Sequence, residues 1–553
     1  METSACEPRP IQTRLGLLDT ASIIVGIIIG VGIFKTPAEV FEYASGPWAA
    51  LAIWGFAGLL SLIGAFCFAE LASTYSRSGG EYVYLTKAYG PLTGFLFGWA
   101  QLAVIRTGGS IAMVAYVFAD YAGNIWEMGT GAKALLAALA IAVLTVVNIL
   151  GVRFGKGTQN TLTVLKVLGL AVIVLTALLW GQPLDPTIHE GELVTAGRDT
   201  LVLRSSPSST PAEHQVAAGA HITVDGSGKN DRTSRPWQLQ ELEPGLTVKL
   251  LIKPSGAVEV RAARAARAPA PTGLAALALA LIAVLWTYSG WHEGAYVAAE
   301  VENRRRNLPL ALILGTGAVI LMYLLVNVAY LIGLGYKGAA NSSTIAADIL
   351  ELLPLPHGGK VMSILVMVSA LGAINGMIFT SSRIYSEMGA DHRLFASLAR
   401  WSRRWGTPVR SLVVQAVLTI GMVAVVGLWF QGSDGFMTLL YCTGPVFCLF
   451  FFLTGTSLII LRFKEPQVER PFVAPLYPLT PLVFCGFWAF MFYSGVTYKP
   501  LEACIGLGVL LAGLPLYALS RGWKRDRPTK EHEPLTALDR TETGMQKPVG
   551  SLP

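Results

Sequence analysis

Two stretches of the chain place small residues where an apolar helix would otherwise run on. They are Ile24-Val-Gly-Ile-Ile-Ile-Gly-Val-Gly-Ile-Phe34 and Leu285-Trp-Thr-Tyr-Ser-Gly-Trp291, the second leading into Glu300-Val-Glu-Asn-Arg-Arg-Arg-Asn-Leu-Pro309. An unwound turn in either would bare backbone N–H donors and C=O acceptors, which are tolerated at bilayer depth only around a cavity or a ligand. The chemistry on offer is capture of a polar solute by main-chain groups, as expected of a membrane carrier. The plainer reading of such glycines is close helix packing through small-xxx-small contacts; their occurrence in two segments favours a site. His292 and Glu293 add an adjacent ionisable pair, and Lys166 a lone cation inside another apolar segment. Ionisable groups at such depth are expensive and are functional suspects. Helix neighbours point about 100° apart, so one of His292 and Glu293 can face water while the other packs. Lys166 could instead snorkel to an interface, but only if its span starts later than the apolar run does.

The elements that must hold these residues follow from hydropathy at about 20 apolar residues per crossing. Twelve spans are expected, at 15–44, 48–75, 87–119, 132–150, 159–182, 274–300, 310–336, 358–388, 410–430, 435–462, 474–496 and 500–521. The suspect stretches fall in spans one and six, and Lys166 in span five. Alternate connections carry the cations: Arg77 and Lys87; Arg153 and Lys156; Arg304, Arg305 and Arg306; Arg393, Arg400, Arg403, Arg404 and Arg410; Arg462, Lys464 and Arg470; and Lys524, Arg525 and Arg527. The positive-inside rule then puts both termini in the cytoplasm.

Composition agrees with the class. The 553 residues are 53% hydrophobic and 14% charged, with mean hydropathy +0.53, whereas soluble domains are nearer about a quarter charged. Net charge is +7, yet the basic residues punctuate apolar runs and build no basic, aromatic face for nucleic acid. Cys6, Cys67, Cys442, Cys448, Cys485 and Cys504 lack paired spacing, so neither a disulfide framework nor a metal site is expected. The polar first residues and the long first apolar run do not fit a cleavable signal.

The expected division is a tail at 1–14, spans one to five within 15–182, an insertion at 183–273, spans six to twelve within 274–521, and a tail at 522–553. The insertion is polar, with alternating runs Thr200-Leu-Val-Leu-Arg204, His221-Ile-Thr-Val-Asp225 and Leu246-Thr-Val-Lys-Leu-Leu-Ile-Lys253, punctuated by Asp225-Gly226 and Pro254-Ser-Gly256. A small β-rich extracytoplasmic domain is expected. Its basic and acidic residues balance at ten each, and long translocated loops escape the charge rule. Val260-Arg-Ala-Ala-Arg-Ala-Ala-Arg267 reads as a tether to span six.

Together, Gly26-Ile-Ile-Ile-Gly-Val-Gly-Ile-Phe34, Gly79-Gly-Glu-Tyr82, Gln159-Asn-Thr-Leu-Thr-Val-Leu-Lys166, Tyr288-Ser-Gly-Trp291, Arg306-Asn-Leu-Pro309, Asn375-Gly376 with Phe379-Thr-Ser-Ser-Arg383, and Glu469-Arg-Pro471 resemble the L-type amino acid transporter branch of the amino acid-polyamine-organocation superfamily. The resemblance covers roughly residues 11–527 outside the insertion. It implies an all-α membrane protein with a leucine-transporter-like pair of inverted five-span repeats, broken helices one and six, and two further spans. It also implies an amino acid held by the breaks, since half-helix ends supply donors for a carboxylate and acceptors for an ammonium. The amides around Gly30, Val31, Gly32 and Ile33 would hold the carboxylate; carbonyls around Ile27, Trp286 and Ser289, the last beside Gly290, would receive the ammonium. Trp286 falls at the family's aromatic gate. Lys166 falls where a lysine ammonium stands in place of the sodium ion that joins spans one and eight in sodium-using relatives. The chain departs from familiar members at Val31, where a small hydroxyl residue is common, and at His292, where asparagine is frequent, which puts side-chain selectivity in doubt. A substrate contact or proton-coupling role for His292 follows as a candidate.

The expectation is a sodium-independent exchanger of neutral L-amino acids, working by alternating access, with no enzymatic activity, cofactor, catalytic residue or metal. Its partners would be amino acid substrates and the lipid bilayer. A proton-coupled or cationic amino acid or polyamine carrier is the alternative, as is a transporter-like sensor with a ligand-binding outer domain. Animal members of this branch pair with a single-span glycoprotein through a cysteine between spans three and four. Residues 120–133 contain none, so no disulfide-linked heavy chain is expected and a bacterial inner membrane is the expected home. Gly151-Val-Arg-Phe-Gly-Lys-Gly-Thr158 fails the phosphate-loop pattern. Asn341-Ser-Ser343 is a formal glycosylation sequon.

Overall fold

In the computed structural model the described residues are 15–520, with gaps at 76, 124 and 127, within 182–272, at 343–344, within 351–357, and at 403, 430–433 and 499. The two tails, Gly226 and Pro254 to Gly256 of the expected insertion turns, Arg264 to Arg267 of the expected tether and Ser343 of the sequon lie outside them. Helices dominate, and nine among the described residues are long and apolar enough to cross a membrane. The other three crossings are Val409–Trp429 and the two broken spans, whose halves are each too short alone. The chain is a twelve-span membrane protein. Leucines such as Leu168, Leu175 and Leu179 of span five and Leu314, Leu321 and Leu325 of span seven are exposed, which suits a lipid-facing surface.

Span one runs as Leu17–Ile28, breaks over residues 29–31, makes a single 3-10 turn at Gly32–Phe34 and resumes at Thr36–Tyr43. Span six runs as Leu274–Tyr288, breaks at residues 289–290 and continues as a 3-10 segment, Trp291–Glu300. Gly290 takes φ +110°, open to glycine and costly for other residues. The far ends of the two broken spans are laced together, Leu15 N–H donating to Glu300 O (3.0 Å) and Glu302 N–H to Leu15 O (2.9 Å).

Span two is Pro47–Thr74, span four Thr130–Ile149, span five Val152–Trp180 and span eight Gly358–Asp391. Span three differs from expectation. The run from 87 divides at Gly90 (φ +102°), giving a separate short helix Glu81–Tyr89 and a span beginning at Pro91, where the missing amide is harmless. Inside it, π turns at Gln101–Ile105 and Thr107–Ala112 flank Arg106. Such bulges recur at functional sites. Span seven, Arg304–Ala340, starts earlier than hydropathy suggests, so Arg304 to Arg306 form its first turn rather than a loop. Spans ten and eleven are Asp434–Lys464 and Leu479–Tyr498, and span twelve is Pro500–Leu511 with Gly513–Ser520.

The insertion contains a six-stranded sheet of order β3-β2-β1-β5-β6-β4. Its strands are β1 (Thr187–Ala196), β2 (Thr200–Arg204), β3 (Ala212–Gln215), β4 (His221–Asp225), β5 (Thr247–Ile252) and β6 (Val258–Ala263). Pairing is antiparallel except between β4 and β6. The period-two alternation sends Leu201 and Leu203 into a core with Leu193, Val248, Leu250 and Val260. Val260 to Ala263, expected as tether, belongs to β6, its amides and carbonyls paired on both edges.

Candidate functional site

The break in span one exposes a run of carbonyls, and nearly every one has a partner. Lys166, fully buried in span five, donates from Nζ to Gly26 O at 2.5 Å and to Ile29 O at 2.8 Å. Ser369 Oγ of span eight donates to Ile29 O and Gly30 O (3.1 and 3.0 Å). Tyr323 of span seven donates its hydroxyl to Ile28 O at 2.8 Å. Among the described residues no hydrogen bond reaches Ile27 O, and no backbone acceptor meets the amides of Val31, Gly32 and Ile33, whereas the Gly30 amide, expected with them, already donates to Ile28 O at 2.7 Å. Buried main-chain groups are otherwise almost always paired, so the unmet ones here are open to a partner from outside the chain.

Close approach is what puts Lys166 there. A Cβ on Gly26 would lie 2.2 Å from Thr163 Oγ1, and one on Gly372 2.5 Å from Lys166 Cε. Behind them Asn375 Nδ2 donates to Gln159 Oε1 (2.9 Å) and to Gly155 O (3.2 Å), while Asn148 Nδ2 donates to Asn375 Oδ1 (2.9 Å). This network locks spans four, five and eight behind the break.

In span six, Ser289 turns back on Trp286 O with both its amide (3.1 Å) and its hydroxyl (2.7 Å). A carbonyl has two lone pairs, so Trp286 O, expected as an ammonium acceptor, is already engaged. The Ser289 carbonyl has no backbone donor among the described residues. Thr287 Oγ1 donates to Thr36 Oγ1 at 2.9 Å and ties this break to the second half of span one.

Both breaks open onto one cavity of about 70 Å³. At roughly 10–15 Å³ per water-sized group, it has room for the main chain of an amino acid. Ile27, Gly30, Val31, Gly32, Trp286, Ser289, Gly290 and His292 all line it. Ile33 does not; its side chain is buried and its carbonyl accepts from Tyr330 Oη at 3.2 Å. Lys166 likewise stays behind the wall, on the carbonyls of Gly26 and Ile29, which do not line the cavity themselves.

Sequence reasoning missed Arg106. It lines the same cavity, 4% exposed, and its Nη1 stands 2.7 Å from Glu293 Oε1. Thr380 Oγ1 donates to Glu293 Oε2 at 2.6 Å, and Arg106 Nε to Gln101 Oε1 at 3.2 Å. The signal was present in the chain: an arginine inside an apolar span next to Thr107-Gly-Gly-Ser110 is as conspicuous as Lys166. His292 also faces the cavity, with neither ring nitrogen hydrogen-bonded within the described chain. Glu81 lies 3.8 Å behind it and accepts from Tyr296 Oη at 3.0 Å. A second buried pair, Arg383 with Glu300 (2.8 Å), joins span eight to the end of span six away from the cavity. No cluster of three or more His, Cys, Asp or Glu among the described residues is placed to hold a metal.

Comparison with known proteins agrees with this architecture. The family described as amino acid permease matches residues 15–500. The chain is 28% identical over 519 residues to the large neutral amino acids transporter small subunit 2 of Oryctolagus cuniculus, covering 93% of this chain and 81% of that protein. It is also 28% identical over 531 residues to the human b(0,+)-type amino acid transporter 1, covering 95% and 91% respectively. With a broken first and sixth span facing one cavity and a family match running across nearly all of the membrane region, the chain belongs to the amino acid permease family.

Proposed function

We propose that this permease is a sodium-independent exchanger of neutral L-amino acids that works by alternating access, with the substrate carboxylate on the Val31 and Gly32 amides and its ammonium between the Ile27 and Ser289 carbonyls. The observation that carries this reading is that these four main-chain groups surround one cavity while neighbouring carbonyls are already held by Lys166, Ser369 and Tyr323. The Lys166 ammonium takes the part a bound cation would play between spans one and eight. Trp286 covers the substrate as a gate. The Ile33 amide supports the carboxylate turn from outside the cavity wall.

The reading extends to placement. Both termini face the cytoplasm, the sheet lies outside, and the host membrane is a bacterial inner membrane. One relative is named a small subunit; for this chain a disulfide-linked partner is not proposed, because residues 120–133 carry no cysteine. The division into a membrane core and a separately folding insertion at 183–273 is part of the proposal. Purified protein in liposomes preloaded with a neutral amino acid should take up labelled leucine or alanine in choline buffer as fast as in sodium buffer. Uptake that needs a sodium gradient, or saturable binding without flux, would overturn it.

A further inference from the structure

Arg106 and Glu293 stand opposite each other in the cavity wall, one from the π-flanked turn of span three and the other from the 3-10 half of span six. Their side chains are 4% and 2% exposed and 2.7 Å apart. Further contacts hold the pair: Thr380 donates to the second Glu293 oxygen, Gln101 accepts from Arg106 Nε, and the guanidinium lies 5.8 Å from the Tyr296 ring centre. The other ionisable groups nearby do not alter this balance within the cavity wall. Lys166 is turned away onto carbonyls, Glu81 sits behind His292 and is bonded to Tyr296, and His292 adds an imidazole to the wall.

We infer that Arg106 and Glu293 are the determinants of substrate class, a mutually cancelling pair that leaves the cavity without net charge and so admits amino acids with uncharged side chains while rejecting cationic and acidic ones. This rests on the reading of the cavity as the amino acid site. A lysine or arginine substrate could reach a carboxylate only by displacing Arg106, and an acidic substrate could reach the guanidinium only by displacing Glu293. Either exchange strands a buried charge without its partner, which is strongly unfavourable. Removing one member should therefore invert the preference: with Arg106 gone, Glu293 becomes a receptor for a cationic side chain; with Glu293 gone, Arg106 becomes one for a carboxylate.

The experiment compares near-isosteric pairs in preloaded proteoliposomes, lysine against norleucine and aspartate against asparagine, for wild type, Arg106→Gln, Glu293→Gln and the double variant. Wild type should favour the neutral member of each pair. Arg106→Gln should raise the lysine to norleucine ratio, and Glu293→Gln the aspartate to asparagine ratio, each by about tenfold or more. The double variant should lose both gains. Wild-type uptake of lysine or aspartate equal to that of its neutral counterpart overturns the inference, as do unchanged ratios in both inserted single variants. If the single variants fail to reach the membrane, the double variant decides: a raised lysine or aspartate ratio there overturns the inference, since no free charge remains to produce it. Failure of wild type to exchange norleucine and asparagine at all would instead overturn the amino acid reading on which the inference stands.

Discussion

The Lys166 ammonium lies 2.5 Å from the Gly26 carbonyl, so a side chain of span five completes the backbone of span one where its helix lets go. Lys166→Ala should leave the Gly26 carbonyl without this donor, costing about 1–3 kcal/mol, and the Ile29 carbonyl held by Ser369 alone. Exchange in proteoliposomes should fall about tenfold or more with normal membrane insertion. Lys166→Arg should rescue poorly, because a planar fork does not fit between two carbonyls that a compact ammonium spans. Full activity in the alanine variant would show that the break holds itself open.

Trp286 lines the cavity beside both breaks. Trp286→Ala should weaken leucine and phenylalanine more than alanine or serine, by roughly tenfold in apparent affinity, because only a large side chain loses apolar contact. Competition curves across a substrate panel measure it; a uniform change would place Trp286 away from the side chain.

Gly290 couples the two breaks sterically. A Cβ there would stand 2.7 Å from Ile27 Cγ2, and the residue sits at φ +110°. Gly290→Ala should cost about 1–2 kcal/mol in backbone strain alone. It should also push Ile27 off its position, lowering both thermal stability in detergent and substrate affinity. An alanine variant with wild-type melting and exchange would mean the contact is soft.

Replacing residues 185–270 by a short flexible linker should leave exchange measurable, since no described residue of the sheet lines the cavity. Loss of flux in a deletion that inserts normally would make the sheet part of the transport machinery.

The broken spans were legible in the sequence because two glycine clusters interrupt apolar runs at membrane depth, where bared backbone must face a cavity, and Lys166 because a lone cation there needs partners. The strands of the insertion were legible at Thr200–Arg204 and His221–Asp225, where apolar residues alternate. Arg106 was missed because its span was read for average hydropathy, which one arginine barely lowers. The separate helix Glu81–Tyr89 was missed because Lys87 and its neighbours abut the next apolar run, with only Gly90-Pro91 to mark the join. Arg462 and Arg470, read as topology marks, also clasp the buried Glu70, with Arg462 Nη2 at 2.6 Å and Arg470 Nε at 3.5 Å. Charge position in the chain indicates which side of a membrane a loop occupies, but it does not reveal the carboxylate on another span that the charge will meet. The engagement of Trp286 O by Ser289 was beyond reach for the same reason, being set by a turn's geometry rather than by residue type.

Span eight grips the second half of span six at two heights, through Thr380 on Glu293 and Arg383 on Glu300. Breaking the Arg383–Glu300 clasp alone would leave buried charges apart at a cost of about 3–5 kcal/mol. In a rocking cycle that half-span and span eight would therefore travel as one lever, and the torsion between them and the first half of span six would fall on Ser289 and Gly290. The glycine that shapes the cavity would then also be its axle, so that the site and the pivot of the motion are the same few atoms of main chain.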